Sequence, residues 1–164
     1  VSALCSLKDN PLFSSSDFSI GVAFNPYLPC SMFDEEIIRL ERKIQSGIVS
    51  SIWIQFGTDI NLLESRIEIL KNIILSNRKT NYKFLDIKLF GSILIPSKQF
   101  LVRFKYRPWK GVYCSREFLE KEDHANHLVV KLLKTYIHND ICPIIETNVS
   151  TENELNSVSK LLGS

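Results

Sequence analysis

The sequence predicts an α/β protein with a parallel sheet, and three observations support this fold class. Short apolar segments rich in Ile, Val, Leu and aromatic residues alternate with longer segments whose apolar residues recur at helical spacing. Gly, Pro, Asn or Ser bound the apolar segments, and polar residues follow several of them. Strands that alternate with helices are typical of parallel sheets with helices against their faces, which hold ligands at the carboxyl ends of the strands.

The first two predicted strands are Val1–Leu7 and Phe18–Phe24, which are both short, apolar and bounded by turn residues. The segment between them, Lys8–Asp17, is shorter than the dozen or so residues that a crossover between parallel neighbours needs. Either these two strands are not parallel neighbours, or residues that belong between them are absent from the sequence. A helix is predicted at Asp34–Ser46, because acids favour a helix N-terminus and Gly47 favours its end.

The middle of the chain repeats this strand–helix alternation. A strand is predicted at Ser51–Phe56 and a helix at Leu62–Leu75, where Leu and Ile recur at helical spacing. The apolar segment Leu85–Ile95 predicts another strand, over its whole length or its second half only.

The segment Lys98–Arg116 interleaves basic and aromatic residues, a composition that occurs in nucleic-acid-binding proteins. At helical spacing, however, Phe100, Leu101 and Phe104 form an apolar face, while the basic residues point away from it. This pattern favours a helix with a solvated basic face over nucleic-acid binding. A local anion site at Arg107–Gly111 is the more plausible functional hypothesis.

The last part of the chain predicts two helices that flank one strand. His124–His138 carries apolar residues at helical spacing, and Pro143–Thr147 is a short apolar strand. Glu152–Leu162 closes the chain as a helix, with Ser150 or Thr151 as its N-cap.

Composition limits the possible classes of function. The chain has 164 residues, enough for one domain, and a net charge of +2, too small to indicate a nucleic-acid binder. No apolar run approaches the roughly 18 residues that span a bilayer, so we expect no membrane segment. The four cysteines form no CxxC pair, which favours packed, reduced thiols in a cytoplasmic protein over a zinc or disulfide framework.

Several polar residues stand where α/β proteins bind ligands. Gln55 lies near the end of the predicted strand Ser51–Phe56, and its side-chain amide either orients a ligand or satisfies backbone groups at the strand end. The loop Asn25–Pro29 offers ligand contacts from Asn25 and Tyr27, or forms a simple β–α turn with an exposed Tyr27. Glu146 ends a strand, where its carboxylate serves a ligand, acts as an acid or base, or caps the next helix. His124 and His127 lack the further ligands of a metal site, and the sequence contains no GxGxxG, Walker A or GxSxG motif.

Five segments together resemble methylenetetrahydrofolate reductase. They are IGVAFNP, LERKIQSG, WIQFGTD, the Gly-x-x-x-Ile-Pro of Gly91–Pro96, and CPIIETNVSTENELNSVSKLLG. The resemblance runs in order from Phe18 to Gly163 and covers the later half of the family's barrel. It implies a TIM-barrel-like (β/α)8 fold, of which this chain represents about five strands.

The resemblance also implies a function in one-carbon metabolism. It implies an oxidoreductase in which NAD(P)H reduces bound FAD, which then passes a hydride to the methylene group of a folate-type substrate. By the same resemblance, Asn25, Lys43 and Ala23 contact the cofactor, whereas Gln55 and Phe100 contact the substrate.

Departures from the family pattern leave two alternatives open. The family's Tyr-Pro-Glu reads Asn25-Pro26-Tyr27 here, and its first-strand Glu and Arg-Gly-Asp-Pro-Pro loop have no counterpart. In the first, the protein is a non-catalytic barrel homologue that acts as a binding or assembly module. In the second, it binds a folate-type ligand without redox chemistry. Because about five strands leave two bare sheet edges, we expect either that the missing strands lie outside this sequence or that a homo-oligomer or a partner completes the barrel.

Overall fold

The computed structural model describes residues 19–80 and 86–163, together with Ser6, Asn10 and Pro11. These residues contain four strands and six helices. The strands are β1 (Ile20–Phe24), β2 (Val49–Ile54), β3 (Lys88–Leu94) and β4 (Cys142–Glu146). The helices are α1 (Cys30–Gln45), α2 (Ile60–Thr80), α3 (Lys98–Tyr106), α4 (Arg116–Glu120), α5 (Glu122–His138) and α6 (Glu152–Leu162).

The four strands form one parallel sheet in the order β1-β2-β3-β4. Neighbours in the sheet are thus also neighbours in the chain, and at least one helix lies between each pair. The α/β class and the parallel sheet are confirmed. Because parallel strands start from the same edge, all four carboxyl ends and the loops that follow them lie along one edge of the sheet.

The two faces of the sheet differ in burial. Helices α1, α2, α5 and α6 contact one another in that order, so they form one layer. Beneath this layer lie the buried side chains of Phe24, Ile52, Ile54 and Ile93. The residues that alternate with them occupy the opposite face, which we call the open face. In register across it lie Ala23, Trp53, Phe90 and Cys142.

A close contact between β3 and α5 fixes the spacing of the helix layer. Tyr136 of α5 is fully buried, and its ring lies directly against Gly91 of β3. A Cβ atom at position 91 would lie 2.5 Å from that ring, closer than packed carbon atoms approach. The glycine of the Gly91–Pro96 motif therefore makes room for a helix rather than for a ligand.

Most predicted elements are present, but α1 starts earlier than the acids of the sequence predict. Its first residue is Cys30, because the carbonyl of Pro29 accepts hydrogen bonds from the amides of Met32 and Phe33. The prediction that acids occupy the first helical turn is wrong, since Asp34 begins the second turn. The predicted end is confirmed, because Gly47 has a φ of 69° after the helix.

The remaining boundaries shift by a few residues. Strand β2 covers Val49–Ile54, so Gln55 follows the strand rather than lying within it. Within the predicted strand Leu85–Ile95, strand β3 covers Lys88–Leu94, and Thr151 is the N-cap of α6. The predicted strand Val1–Leu7 lies outside the described residues except for Ser6, whose backbone is helical, so the prediction is wrong there.

Candidate functional site

The carboxyl edge of the sheet is where the structure gathers most of the predicted site residues. Asn25, Gln55 and Thr147 are the first residues after β1, β2 and β4. The segment 107–115 returns to the same edge and crosses above β2. It is held there by a backbone bond of 3.1 Å from Thr58 to Tyr113 and by a bond of 2.6 Å from the Ser115 amide to Thr58 Oγ1.

The side chain of Asn25 stabilises the loop that contains it. Its Oδ1 accepts a bond of 3.0 Å from the Tyr27 amide, and its Nδ2 donates a bond of 2.8 Å to the carbonyl of Gly111. Its backbone amide donates to Glu36 Oε1 at 3.4 Å. Because both polar atoms of the amide already have partners within the protein, Asn25 positions the 107–115 segment over β1.

Arg66 holds the same loop from below, and the sequence analysis missed this residue. It is 4% exposed, and its Nη1 donates to the carbonyls of Pro26 and, at 2.6 Å, Leu28. Its guanidinium carbon lies 3.7 Å from the centre of the Phe33 ring, a cation–π contact. The available signal was an arginine on the apolar face of α2, three residues after Leu63.

Tyr27 is buried beneath this loop, contrary to the interpretation of the loop as a turn with an exposed tyrosine. The side chain is 3% exposed, and its hydroxyl has no hydrogen-bond partner in the described part of the chain. Burial raises the pKa of Tyr27 well above its usual value, and the nearby hydroxyl of Tyr136 adds to this effect. Tyr27 is therefore a neutral core residue at physiological pH.

Gln55 and Ala23 lie near each other on the open face. The backbone amide of Gln55 donates a hydrogen bond of 2.9 Å to the carbonyl of Phe24, which continues the β1–β2 ladder beyond Ile54. By strand alternation, Gln55 falls on the same face as Trp53, and Trp53 lies beside Ala23 in the register. The structure thus brings these two predicted contacts together at the carboxyl end of the open face.

Lys43 is separated from the other predicted contacts. It lies in the last turn of α1, thirteen residues after the first residue, Cys30. At a rise of about 1.5 Å per residue, it is about 20 Å along the helix from the carboxyl edge. Its side chain therefore does not join Asn25, Ala23 or Gln55 in one cradle.

A cleft of about 810 Å³ lies beyond the carboxyl ends of β3 and β4. Phe100 of α3 lines this cleft. The Phe100 ring meets the Trp109 ring edge-on at a centroid distance of 5.4 Å, and the Phe104 ring lies 5.4 Å from Phe100 and 6.2 Å from Trp109, so the three rings form one cluster. Gln55 does not line this cleft, so the two predicted substrate contacts are not in one place.

Charged groups of both signs also line this cleft, beside the side chains of Phe100, Phe104 and Trp109, which we call the aromatic wall. Arg103 and Glu146 line the cleft, and neither side chain has an ion pair or hydrogen bond to another residue of the described ranges. Glu146 is the last residue of β4. Such a lining favours a ligand with a planar ring, which can stack on the aromatic side chains and present polar groups to the charged ones.

A second, smaller cleft of about 510 Å³ lies on the other side of the 107–115 segment. Tyr27, Asp59 and Cys114 are among its lining residues. Burial raises the pKa of the Cys114 thiol to about 12. A thiol with this pKa stays protonated at physiological pH and is a poor nucleophile.

Other predicted features are not part of either cleft. His124 and His127 are exposed at the start of α5, and in the described ranges no three His, Cys, Asp or Glu side chains lie close enough to hold a metal ion. The described helices include none with the length and apolar character needed to cross a bilayer. Cys30, Cys114 and Cys142 are free thiols.

Comparison with known proteins adds no relative to this picture. No protein-family model matches the sequence, and no curated protein matches it at a significant level. The resemblance to methylenetetrahydrofolate reductase therefore stays an interpretation of the five sequence segments. The residues that it assigns to FAD do not converge, because Asn25 is engaged with Gly111 and Lys43 lies at the far end of α1.

Proposed function

We propose that this protein is a ligand-binding barrel homologue, related to methylenetetrahydrofolate reductase, that binds a folate-type molecule without redox chemistry. The observation that carries the proposal is the cleft of about 810 Å³ at the carboxyl ends of β3 and β4. In parallel α/β proteins this edge is where small ligands bind. A volume of this size suits a ligand as large as a folate.

The lining of the cleft matches the chemistry of such a ligand. A folate combines a planar pterin ring with a tail that carries carboxylates. Phe100 and Trp109 provide surface for stacking the ring, and the free guanidinium of Arg103 is suited to pair with a carboxylate of the tail. Each half of the ligand therefore has a complementary group in the same cleft.

A second candidate is the flavin-dependent reductase that the sequence resemblance implies. The observation that favours it is the position of Ala23 and Gln55, which share the carboxyl end of the open face. Against it stand the commitment of Asn25 to Gly111 and the remoteness of Lys43. We therefore derive no hydride-transfer step and rank this function second.

Both functions fit a larger TIM-barrel-like assembly in the cytoplasm. The chain-consecutive strand order β1-β2-β3-β4 matches an arc of a (β/α)8 barrel. We propose that a second copy or another partner faces the open face and completes the barrel. The free thiols of Cys30, Cys114 and Cys142 agree with a reducing compartment.

Isothermal titration calorimetry with 5-formyltetrahydrofolate tests the primary proposal. We expect saturable binding with a Kd on the order of 10 μM, a weak but specific affinity for a cleft of this kind. Phe100→Ala should weaken binding about tenfold, because an aromatic contact contributes roughly 0.5–1.5 kcal/mol beyond the buried area. Val102→Ala is the matched control, because Val102 lies on the same helix, is 57% exposed and does not line the cleft.

Three results would count against this proposal. Absence of binding up to about 1 mM ligand, which corresponds to less than about 4 kcal/mol, would exclude the folate-type ligand. Uptake of FAD in a parallel titration, with a yellow protein that oxidises NAD(P)H, would favour the reductase instead. Equal affinity of the wild type and Phe100→Ala would show that the ligand does not bind against Phe100 in this cleft.

A further inference from the structure

Three carboxylates line the large cleft, and they differ in their partners. Glu122 forms an ion pair with Lys98 at 3.8 Å. The carboxylate of Glu154 accepts bonds of 2.9 Å from the Ser150 amide and 3.1 Å from the Thr151 amide, as part of the capping box of α6. These two acids stabilise the protein itself, so their carboxylates are already engaged.

Glu146 is the carboxylate that remains available to a ligand. Its side chain has no hydrogen bond or ion pair to any residue in the described ranges, although it lines the same cleft as Arg103. The distance between the two side chains therefore exceeds the 4 Å of an ion pair. An acid and a base that face one cleft without neutralising each other are both free for complementary groups of a ligand.

The backbone of Glu146 is held more firmly than that of a loop residue. Glu146 pairs with Leu94 of β3, and its carbonyl accepts a bond of 2.9 Å from the Ile95 amide. Its side chain thus starts from a fixed point at the end of a strand. Ligand-orienting groups are most precise when such rigid elements carry them.

The aromatic wall determines which part of a ligand Glu146 can recognise. Phe100 and Trp109 offer stacking surface to the faces of a planar ring, so the edge of the ring is left for hydrogen bonding. A carboxylate has two acceptor oxygens and no donor, and it pairs best with two adjacent N–H donors. The 2-amino and N3–H groups of a 2-amino-4-oxopyrimidine ring provide this arrangement.

We propose that Glu146 determines ligand specificity by accepting two parallel hydrogen bonds from the 2-amino-4-oxopyrimidine edge of a ring stacked on Phe100. Arg103 then pairs with the anionic substituent at the other end of the ligand. This assignment rests on the proposed function of the cleft and names the chemical group that the cleft selects. Pterins and guanine nucleotides both carry this ring edge, so the ring edge, rather than one molecule, is what Glu146 recognises.

Calorimetric titration of three ligands into the wild type, Glu146→Gln and Glu152→Gln tests the assignment. The ligands are 5-formyltetrahydrofolate, its 2-desamino analogue and guanosine 5′-monophosphate. We expect Glu146→Gln to weaken the folate about 10- to 100-fold, the range for hydrogen bonds to a charged group, because the amide replaces one acceptor by a donor. The desamino analogue keeps the N3–H donor but lacks the 2-amino donor, so the same variant should weaken it by a factor at least about threefold smaller than for the folate.

The matched control and the second ligand separate the possible failures. Glu152→Gln removes an exposed acid of α6 that does not line the cleft, so all affinities should stay at the wild-type values.

Equal losses for the folate and its desamino analogue in Glu146→Gln would assign Glu146 a structural role and overturn this inference alone. Tight, Glu146-dependent binding of the nucleotide without the folate would support Glu146 and overturn the folate proposal. Binding of neither ligand to the wild type would overturn both.

Discussion

The hydroxyl of Tyr27 is a buried polar group without a hydrogen-bond partner in the described part of the chain. An unpaired buried hydroxyl costs about 1–3 kcal/mol of stability, whereas a phenyl ring of the same shape does not. We therefore expect Tyr27→Phe to raise the free energy of unfolding by about 1 kcal/mol in urea titrations at neutral pH. Tyr113→Phe is the control, because Tyr113 is 38% exposed and its hydroxyl is not a buried, unpaired group.

The same substitution should change the response to alkaline pH. Burial raises the pKa of both Tyr27 and Tyr136 above the ordinary value, so the folded protein holds these two protons more tightly than the unfolded chain. Their contribution to stability is full below about pH 10, the pKa of an unfolded tyrosine, and is lost as the pH rises toward the folded pKa values. Tyr27→Phe should make this decline shallower between about pH 9 and about pH 12. If Tyr27→Phe is instead less stable than the wild type at neutral pH, the Tyr27 hydroxyl forms a stabilising hydrogen bond in the folded protein, contrary to this prediction.

The residues around Tyr27 show why part of the site escapes sequence reasoning. Gln55 could be predicted to lie at the carboxyl edge, because it stands near the end of an apolar strand, whereas only the resemblance indicated a place for Phe100 near a ligand. The contacts of Arg66 with Pro26 and of Asn25 with Gly111 join residues 40 and 86 positions apart. Such long-range bonds between a side chain and a carbonyl leave no periodic pattern in the sequence. The role of Asn25 in holding Gly111 is therefore visible only in the structure.

At the scale of elements, local signals predicted boundaries well where capping groups lie next to the helix. Helix α6 begins at Glu152 because Thr151 and Glu154 form a reciprocal capping box. Helix α1 begins four residues before the predicted Asp34, because Pro29 takes the N-cap position without a side-chain bond. A cap that uses only a backbone carbonyl has no residue signature, and the acids nearby were a misleading signal.

The contact between β3 and α5 gives a prediction at this scale. Gly91→Ala would place a methyl group 2.5 Å from the Tyr136 ring, so the strand or the helix must shift. We expect a loss of about 1–3 kcal/mol in the free energy of unfolding, the usual range for overpacking a core. Ser92→Ala is the control on the neighbouring, half-buried position of the open face.

A double-mutant cycle identifies the cause of that loss. If the Tyr136 ring causes the strain, Tyr136→Leu should relieve it, and Gly91→Ala should then cost less than about 0.5 kcal/mol in the Tyr136→Leu background. Additive losses in the double variant would instead attribute the effect to the strand backbone. Urea unfolding followed by circular dichroism measures all four corners of the cycle.

At the scale of the whole molecule, the strand–helix alternation predicted the parallel sheet because each crossover lies within a short stretch of chain. The strand periodicity did not show that one face would be left uncovered by helices. Trp53 on that face is 44% exposed, although its ring stacks on Phe90 at a centroid distance of 4.7 Å. A stacked aromatic pair with this exposure in the middle of a sheet face is typical of a surface that another layer covers.

The open face leads to a prediction about assembly. A (β/α)8 barrel has eight strands, and the described sheet provides four in consecutive order, so a second copy that places its β1 beside β4 would supply the remaining four. We expect light scattering to give twice the 18.9 kDa mass of one chain at micromolar concentration. Trp53→Glu should convert the dimer to a monomer, because an unpaired charge would be buried against the partner's sheet. Trp109→Glu, which alters a tryptophan 55% exposed in the cleft, should leave the dimer intact. A monomeric wild type would contradict the assembly of two copies into one barrel.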